Sequence, residues 1–347
     1  METIWFVLVA VMVAMYVLLD GFDLGAGAIH FLVAKTPEER RQVIASIGPV
    51  WDGNEVWLLA AGGTLYFAFP LLYASSFSGF YLPLMMVLWL LILRGTAVEF
   101  RNHITSFVWI PFWDFIFSAA SLLLVVFLGA ALGNVVRGVP LDASGYFFEP
   151  LWTNWRLGEQ TGILDWFTVL VGVQALVALM MHGALWVQFK TEGAVNKRAR
   201  TVAGLCWWAV LVLTGVVTTV TFAVQPQVLA NFKTWPVGYV LPALAVAGLA
   251  GIQFELRRNR EWSAFLASCV YFLGMLTSVV FGVYPMVLPA RDPAYSLTVQ
   301  NAKAGAYGLK IGLIWWVIGM ALATFYFIFV YRSFAGKVSK TVESHGD

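Results

Sequence analysis

The sequence is poor in charge. Only 12% of its 347 residues are Asp, Glu, Lys or Arg, where a soluble protein has about 25%, and 60% are hydrophobic. The formal net charge is only +2, which excludes the strongly basic surface of a nucleic-acid-binding protein. This composition predicts an all-α polytopic membrane protein rather than a soluble enzyme.

Cysteine and histidine are equally scarce. The two cysteines, Cys206 and Cys269, fall within apolar stretches, which predicts buried thiols rather than a disulfide or a thiolate metal site. Of the four histidines, only His30 and His182 fall in predicted spans, where packed histidines are expected more often than paired haem ligands. The sequence shows no phosphate-binding loop, hydrolytic triad or metal-ligand cluster. We therefore expect no catalytic centre in this chain alone.

Long apolar runs predict about nine transmembrane helices. The first run lacks a preceding basic segment, so it predicts a mature helix rather than a cleaved signal. A short repeat, Glu99-Phe-Arg101 and Glu255-Leu-Arg257, falls four helices apart and favours two four-helix bundles plus one extra helix. The predicted spans are 4–34, 50–73, 77–99, 111–134, 162–188, 202–224, 237–257, 262–284 and 307–332.

The same pattern predicts four segments. They are a first bundle (1–134), an external loop (135–161), a second bundle (162–284), and a last segment with an external loop, the ninth helix and a cytoplasmic tail (285–347).

The basic residues predict the orientation. Connections on one side hold most of the 21 Lys and Arg residues, and such connections are usually cytoplasmic. We therefore expect the N-terminus outside and the C-terminus in the cytoplasm. The predicted cytoplasmic set is Lys35, Arg40, Arg41, Arg94, Arg101, Lys190, Lys197, Arg198, Arg200, Arg257, Arg258, Arg260, Arg332, Lys337 and Lys340. The predicted external set is Arg137, Arg156, Lys233, Arg291, Lys303 and Lys310.

Four carboxylates lie where lipid is expected, in two similar frames. Asp20 and Asp23 are three residues apart in the first span, and Asp52 and Glu55 repeat this spacing in the second. Each pair therefore shares a helix face. A carboxylate costs about 2.5–3.5 kcal/mol at the centre of a membrane helix, so it is expected to face a partner, water or a proton path. Both pairs fall in the predicted cytoplasmic half, and they predict a proton pathway.

Structural roles compete with this interpretation. Asp52 follows Pro49 at the start of a helix and is a candidate N-cap. Glu55 is a candidate for an ion pair with Arg94 or Arg101. Asp20 lies too deep for either role, but a hydrogen bond to a neighbouring helix would also explain it.

Longer motifs around the carboxylates resemble subunit II of cytochrome bd ubiquinol oxidase, a family that includes cyanide-insensitive oxidases. They are Asp20-Gly-Phe-Asp23-Leu-Gly, Pro49-Val-Trp51-Asp52-Gly-Asn-Glu55-Val-Trp57, Ala60-Ala-Gly-Gly63, Phe77-Ser-Gly-Phe-Tyr81 and Arg94-Gly-Thr-Ala-Val-Glu99-Phe-Arg101. Chain length, helix number and the predicted orientation also fit. Glu55 stands where many members carry Gln and other branches carry Glu.

The resemblance implies a role within a larger complex in the bacterial inner membrane. A partner, subunit I, would hold the b-type haems and haem d and couple quinol oxidation to reduction of O2 to water. This subunit would bind none of these haems, stabilise the complex and deliver protons through Asp20, Asp23, Asp52 and Glu55. Trp51 would be a candidate quinone contact, with Arg94, Glu99 and Arg101 in structural ion pairs. The other expected partners are membrane lipid and small single-helix subunits.

Two other function classes fit the same composition. A proton-coupled secondary transporter would use the same carboxylates, but it should show broken helices at matching positions in both halves. The acidic frames occur only in the first half. A structural membrane scaffold would explain the hydropathy but would leave Asp20 without a role.

Overall fold

The structure is a computed structural model that describes residues 1–158 and 161–338. Its described part contains thirteen α-helices, two short 3-10 helices and one two-stranded antiparallel sheet. The α-helices are α1 (Glu2–Ala28), α2 (His30–Val33), α3 (Pro37–Ile47), α4 (Trp51–Ala68), α5 (Pro70–Gly79), α6 (Tyr81–Phe100), α7 (Trp109–Arg137), α8 (Trp166–Lys190), α9 (Gly193–Val224), α10 (Pro226–Thr234), α11 (Val240–Arg257), α12 (Glu261–Val283) and α13 (Ala306–Ser333). The 3-10 helices are Pro236–Tyr239 and Pro293–Tyr295, and the strands are β1 (Met286–Leu288) and β2 (Leu297–Thr298).

Eight helices in the described ranges are long and apolar enough to cross a membrane. They correspond to eight of the nine predicted spans. The remaining predicted span, 50–73, corresponds to α4, which has 18 residues and carries Asp52 and Glu55. The prediction of an all-α membrane protein with about nine spans is therefore confirmed.

Several helix ends differ from the predicted ones. Helix α1 ends at Ala28 rather than near residue 34, and the chain turns at Ile29 before the short α2. Helix α4 ends at Ala68 because Pro70, which has no N–H to continue the helix, begins the separate α5.

Helix α9 is longer than predicted. It begins at Gly193 rather than near residue 202. The predicted loop residues Lys197, Arg198 and Arg200 lie in its first turns, because a helix can extend beyond the apolar region of a membrane.

The predicted connection 35–49 contains a helix of its own. The amphipathic α3 begins with a capping box, in which the Thr36 hydroxyl accepts from the Glu39 N–H at 3.3 Å. The Glu39 carboxylate in return accepts from the N–H groups of Thr36 and Lys35. This arrangement satisfies backbone N–H groups that the start of α3 would otherwise leave unpaired.

Helix α1 packs at the centre of the molecule, against α4 and α7 and also against α8 and α12. Its closest contact is with α8, where a Cβ on Gly183 would come within 2.3 Å of the backbone of Gly25 and Ala26. Only glycine permits two helices to approach so closely. We propose that α1 and α4–α7 form the first bundle and α8–α12 the second, with α13 as the extra helix.

Basic and acidic side chains join helix ends at both faces of the molecule. On the face that holds the end of α1 (the basic face), Arg198 pairs with Glu39 and Lys337 with Glu261. On the opposite face, the buried Glu149 joins Arg137 to Arg291, and Arg137 also pairs with Asp165. The predicted basic set therefore lies mainly at one face, except that Lys340 lies outside the described residues.

Candidate functional site

Arg94 of α6 bridges the two acidic frames. Its Nη1 lies 2.7 Å from Asp20 Oδ1 on α1, and its Nη2 donates to Glu55 Oε2 on α4 at 2.7 Å. Arg94 and Asp20 are almost completely buried, while the Glu55 side chain is 24% exposed. Arg94 and Asp20 form a close ion pair, but the Arg94 N–H group is not aligned with the Asp20 oxygen as in a hydrogen bond. The structure therefore brings Asp20 and Glu55 together around one guanidinium group.

Asp23 occupies a separate position one turn along α1. Its carboxylate accepts a hydrogen bond from the Asn54 side-chain amide at 2.7 Å, and both residues are buried. The hydroxyl of Tyr331 on α13 donates to the Asn54 side-chain oxygen at 2.8 Å. Asn54, which lies in the second acidic frame, therefore links Asp23 of the first frame to Tyr331 of α13.

Asp52 does not join the buried group. It lies in the first turn of α4, its side chain is exposed, and it forms no ion pair or hydrogen bond with any residue that the structure describes. The N-cap position of α4 is Val50, and no side chain caps this helix. The proposed N-cap role of Asp52 therefore finds no hydrogen bond to support it.

Trp51 precedes this exposed carboxylate. It packs against α6, where its ring would lie 3.3 Å from a Cβ on Gly95. A role of Trp51 in quinone binding stays a prediction.

Tyr16 extends the acidic cluster along α1. It lies four residues before Asp20, on the same helix face, and is 4% exposed. Its buried hydroxyl interacts with the Asp20 carboxylate. A phenolic hydroxyl can both donate and accept a hydrogen bond, so Tyr16 adds a polar group to the buried cluster.

A second buried ion-pair cluster lies at the basic face. Asp114 of α7 accepts from Arg101 Nε at 2.5 Å, lies 3.1 Å from His30 Nε2 and is 3.5 Å from Arg40. This cluster joins α2 and α3 to the end of α6 and the first turns of α7. Glu99, by contrast, is exposed and forms no ion pair within the described ranges.

The two interior histidines are engaged in packing. His182 has both ring nitrogens within hydrogen-bond distance of a partner, at 2.7 Å from Ser268 Oγ and 3.0 Å from the Leu18 carbonyl oxygen. His30 is packed between the rings of Phe31 and Phe117 and bound to Asp114. Both ring nitrogens of His182 and the Nε2 of His30 are therefore engaged within the chain. No group of three or more metal-ligating side chains occurs among residues 1–158 and 161–338.

The chain matches the sequence model of the cytochrome bd terminal oxidase subunit II family over residues 1–334. The chain belongs to this family. It is therefore a subunit of a cytochrome bd-type oxidase, an oxidoreductase complex of the respiratory chain with a partner subunit I, and it is an integral membrane protein.

Three curated relatives match along nearly their whole length. A probable cytochrome oxidase subunit 2 of Haemophilus influenzae is 34% identical, covering 96% of this chain and 94% of the relative. The cytochrome bd ubiquinol oxidase subunit 2 of Bacillus subtilis is 29% identical, covering 94% and 95%. The cytochrome bd-I ubiquinol oxidase subunit 2 of Escherichia coli (strain K12) is 28% identical, covering 97% and 95%.

The fold also matches a solved oxidase. The chain superimposes on a chain of the bd oxidase from Geobacillus thermodenitrificans with a TM-score of 0.76 and 17% sequence identity, covering 96% of this chain and 98% of that chain. At this identity the match shows the fold alone.

The sequence did not predict that four further residues, Asp114, Asn54, Tyr16 and Tyr331, belong to these clusters. Asp114 lies in an apolar stretch as the acidic frames do, so the same search would have found it. Asn54 lies between Asp52 and Glu55 in the second frame. Tyr16 and Tyr331 give no local signal, because only the packing of α1 and α13 brings them to the site.

Proposed function

We propose that this chain is the haem-free subunit of a quinol:O2 oxidoreductase, and that it conducts protons towards the haem-bearing subunit I. The bd-type relatives named above are ubiquinol oxidases by name. The b-type haems and haem d would lie in subunit I, where quinol is oxidised and O2 reduced to water. Reduction of O2 to water consumes protons, which must reach a site within the membrane.

The observation that carries the proposal is the carboxylate series Asp52, Glu55 and Asp20, of which Arg94 joins the last two. Asp52 is exposed at the start of α4, Glu55 lies one turn further and is partly exposed, and Asp20 is fully buried. The exposed fraction of the carboxylate side chains therefore falls from Asp52 through Glu55 to Asp20. This order is expected for a path that takes protons from water into the protein.

The charge balance of the buried group supports the same role. One guanidinium group, Arg94, neutralises one negative charge, whereas Asp20, Asp23 and Glu55 could together carry three. Because unpaired charges are costly in a low-dielectric interior, the group is suited to bind protons and release them. A purely structural ion pair would need only one carboxylate.

The orientation completes the proposal. We infer from the basic residues that the face with Asp52 is cytoplasmic and that both the N-terminus and the 138–165 loop are external. The complex would lie in the bacterial inner membrane. We propose that subunit I covers exposed apolar side chains of α4 and α6, such as Leu59 and Trp89, which are 74% and 60% exposed here. Small single-helix subunits and lipid would cover others.

A proton-coupled transporter is the weaker alternative. Helices do break at corresponding places in the two halves, before Pro70 and before Pro226. Neither break has a carboxylate within five residues in the sequence, so neither offers the ion site that a transporter's broken helices provide. Family membership also favours the oxidase.

The test is turnover per haem in the purified complex. We expect Asp20→Asn and Asp52→Asn to slow quinol oxidation strongly while the haems stay in place. Asp23→Asn and Glu55→Gln should have smaller effects, because water can bridge a missing carrier. Glu99→Gln, an exposed carboxylate near the same face, is the matched control and should be silent. Full activity of both Asp20→Asn and Asp52→Asn would eliminate the proton path.

A further inference from the structure

A large cavity opens at the basic face, between α3, α8, α12 and the end of α13. Its volume is about 740 Å³, within the range of roughly 300–1,000 Å³ that is typical of ligand sites. The segment that follows α13, residues 334–338, forms part of its wall. The cavity is separate from the acidic cluster, although Tyr331 lines it and bonds to Asn54.

Lys190, the last residue of α8, places a buried cation in this wall. It is 8% exposed, and its ammonium group donates one hydrogen bond, to the Phe334 carbonyl oxygen at 2.7 Å. It forms no ion pair with a carboxylate in the described part of the chain. The negative end of the α8 dipole favours a cation here, but an ammonium group has three N–H donors. The site therefore has donors left for an anion.

Two further cations line the cavity, Arg332 and Lys337. Arg332 is exposed and forms no ion pair with another described residue. Lys337 lies 2.7 Å from Glu261, which does not line the cavity. No carboxylate of the described residues lines the cavity itself. Lys190 and Arg332 are therefore cations of the described lining that no described carboxylate neutralises.

The remaining wall is aromatic and apolar. Trp186, Phe189 and Trp262 pack in series, with ring centroids 5.9 Å and 5.0 Å apart, and Ile328 lies on the same wall. Tryptophan side chains are enriched at the level of lipid headgroups. The cavity thus combines a cationic end with an apolar side, as an amphipathic anion requires.

We propose that this cavity binds one anionic phospholipid of the adjoining leaflet. Its phosphate would lie against Lys190 and Arg332, and its glycerol and the first part of its acyl chains would lie along Trp186, Phe189 and Trp262. Two other sources of negative charge are a free phosphate ion and the chain's own residues beyond 338, which include Glu343 and Asp347.

The experiment measures lipid binding to the complete, purified oxidase by native mass spectrometry after exchange into phosphatidylglycerol or phosphatidylcholine. We expect one retained phosphatidylglycerol and weaker retention of phosphatidylcholine. Lys190→Gln and Arg332→Gln should each weaken phosphatidylglycerol binding about fivefold, the usual effect of one basic side chain near a lipid surface. Lys190→Arg, which keeps the charge, should restore it, and the exposed Lys197→Gln on the same face is the matched control.

Three results would overturn the proposal. The first is equal phosphatidylglycerol retention by wild type, Lys190→Gln and Arg332→Gln. The second is displacement of the lipid by millimolar inorganic phosphate, which would identify a soluble-anion site. The third is tighter lipid binding after truncation behind Val338, which would identify the chain's own end as the occupant. Because Arg332 is exposed, its variant should fold even if Lys190→Gln does not.

Discussion

Arg94 Nη1 lies 2.7 Å from Asp20 Oδ1, and both side chains are almost completely shielded, at 1% and 0% exposed. The pair joins α6 to α1 in the interior of the molecule. A buried ion pair contributes little net stability, but removing one partner leaves a charge that costs about 3–5 kcal/mol. This asymmetry separates the structural role of the pair from its role in proton transfer.

We expect Arg94→Gln to reduce assembly of the complex severely, because it leaves Asp20 buried without a cation. The double variant Asp20→Asn/Arg94→Gln should recover much of the assembly, since the remaining Glu55 is partly exposed and can be solvated. The measurement is the amount of haem-loaded complex recovered from membranes.

Turnover gives the second readout for the same variants. If Asp20 carries protons, the recovered double variant should remain slow. Recovery of both assembly and turnover would assign the pair to structure alone.

The histidines give a prediction about haem. His30→Ala and His182→Ala should leave the reduced-minus-oxidised spectrum of the assembled complex unchanged per haem, because the structure engages both side chains in contacts within this chain. His182→Gln, which can keep a polar contact to Ser268, serves as the conservative variant if the alanine variant assembles poorly. Loss of a b- or d-type band in a variant that retains both subunits would contradict this prediction.

The sequence predicts which residues form the acidic site better than it predicts how they are arranged. Asp20, Asp23 and Glu55 were recognisable because a carboxylate in an apolar run is costly and therefore informative. Helix spacing predicted the depth of Asp20. For Glu55 the sequence left an ion pair with Arg94 or Arg101 open, and the structure shows the pair with Arg94. That Arg94 would also reach Asp20 could not be predicted, because the distance depends on how closely α6 packs against α1.

Helix ends and exposure were the weaker part of the prediction. Apolar runs continue through Ile29 and Phe69, so hydropathy gives no sign of the breaks there. Asp20 and Asp52 are the first carboxylates of two similarly spaced pairs, yet the first turn of α4 leaves Asp52 at the surface. The Tyr331 contact to Asn54 joins residues 277 positions apart, and no local pattern encodes such a contact.

The capping box of α3 gives a pH-dependent prediction. Partial burial alone would raise the pKa of Glu39, but N–H groups of Lys35 and Thr36 and the guanidinium group of Arg198 outweigh it and hold this pKa below its usual value of 4.5. A carboxyl with a lowered pKa stabilises the fold above its unfolded pKa, and this stabilisation is lost as the pH falls through the folded value. At neutral pH, Glu39→Gln should therefore speed hydrogen exchange in α3 about fivefold, equivalent to about 1 kcal/mol.

The control for this measurement is Glu192→Gln, an exposed glutamate at the same face. It should leave exchange in α3 unchanged at every pH. The difference between wild type and Glu39→Gln should shrink as the pH is lowered below about 4.5. A difference that stays constant across this range would show that the charge of Glu39 does not stabilise α3.

The contact between α1 and α8 gives the last prediction. A methyl group on Gly183 would lie 2.3 Å from backbone atoms of Gly25 and Ala26, and backbone cannot move aside as a flexible side chain can. Gly183→Ala should therefore separate the two helices at a cost of about 1–3 kcal/mol or more, and lower the temperature at which the purified complex loses its haem spectrum. Gly204→Ala is the matched control, because a Cβ there meets nothing within 4 Å and alanine favours the helix.

Because Asp20 and Asp23 lie on the α1 turns just before this crossing, Gly183→Ala should also slow quinol oxidation in complexes that still assemble. Unchanged thermal stability and turnover in Gly183→Ala would mean that the close crossing neither holds the bundles together nor positions the carboxylates.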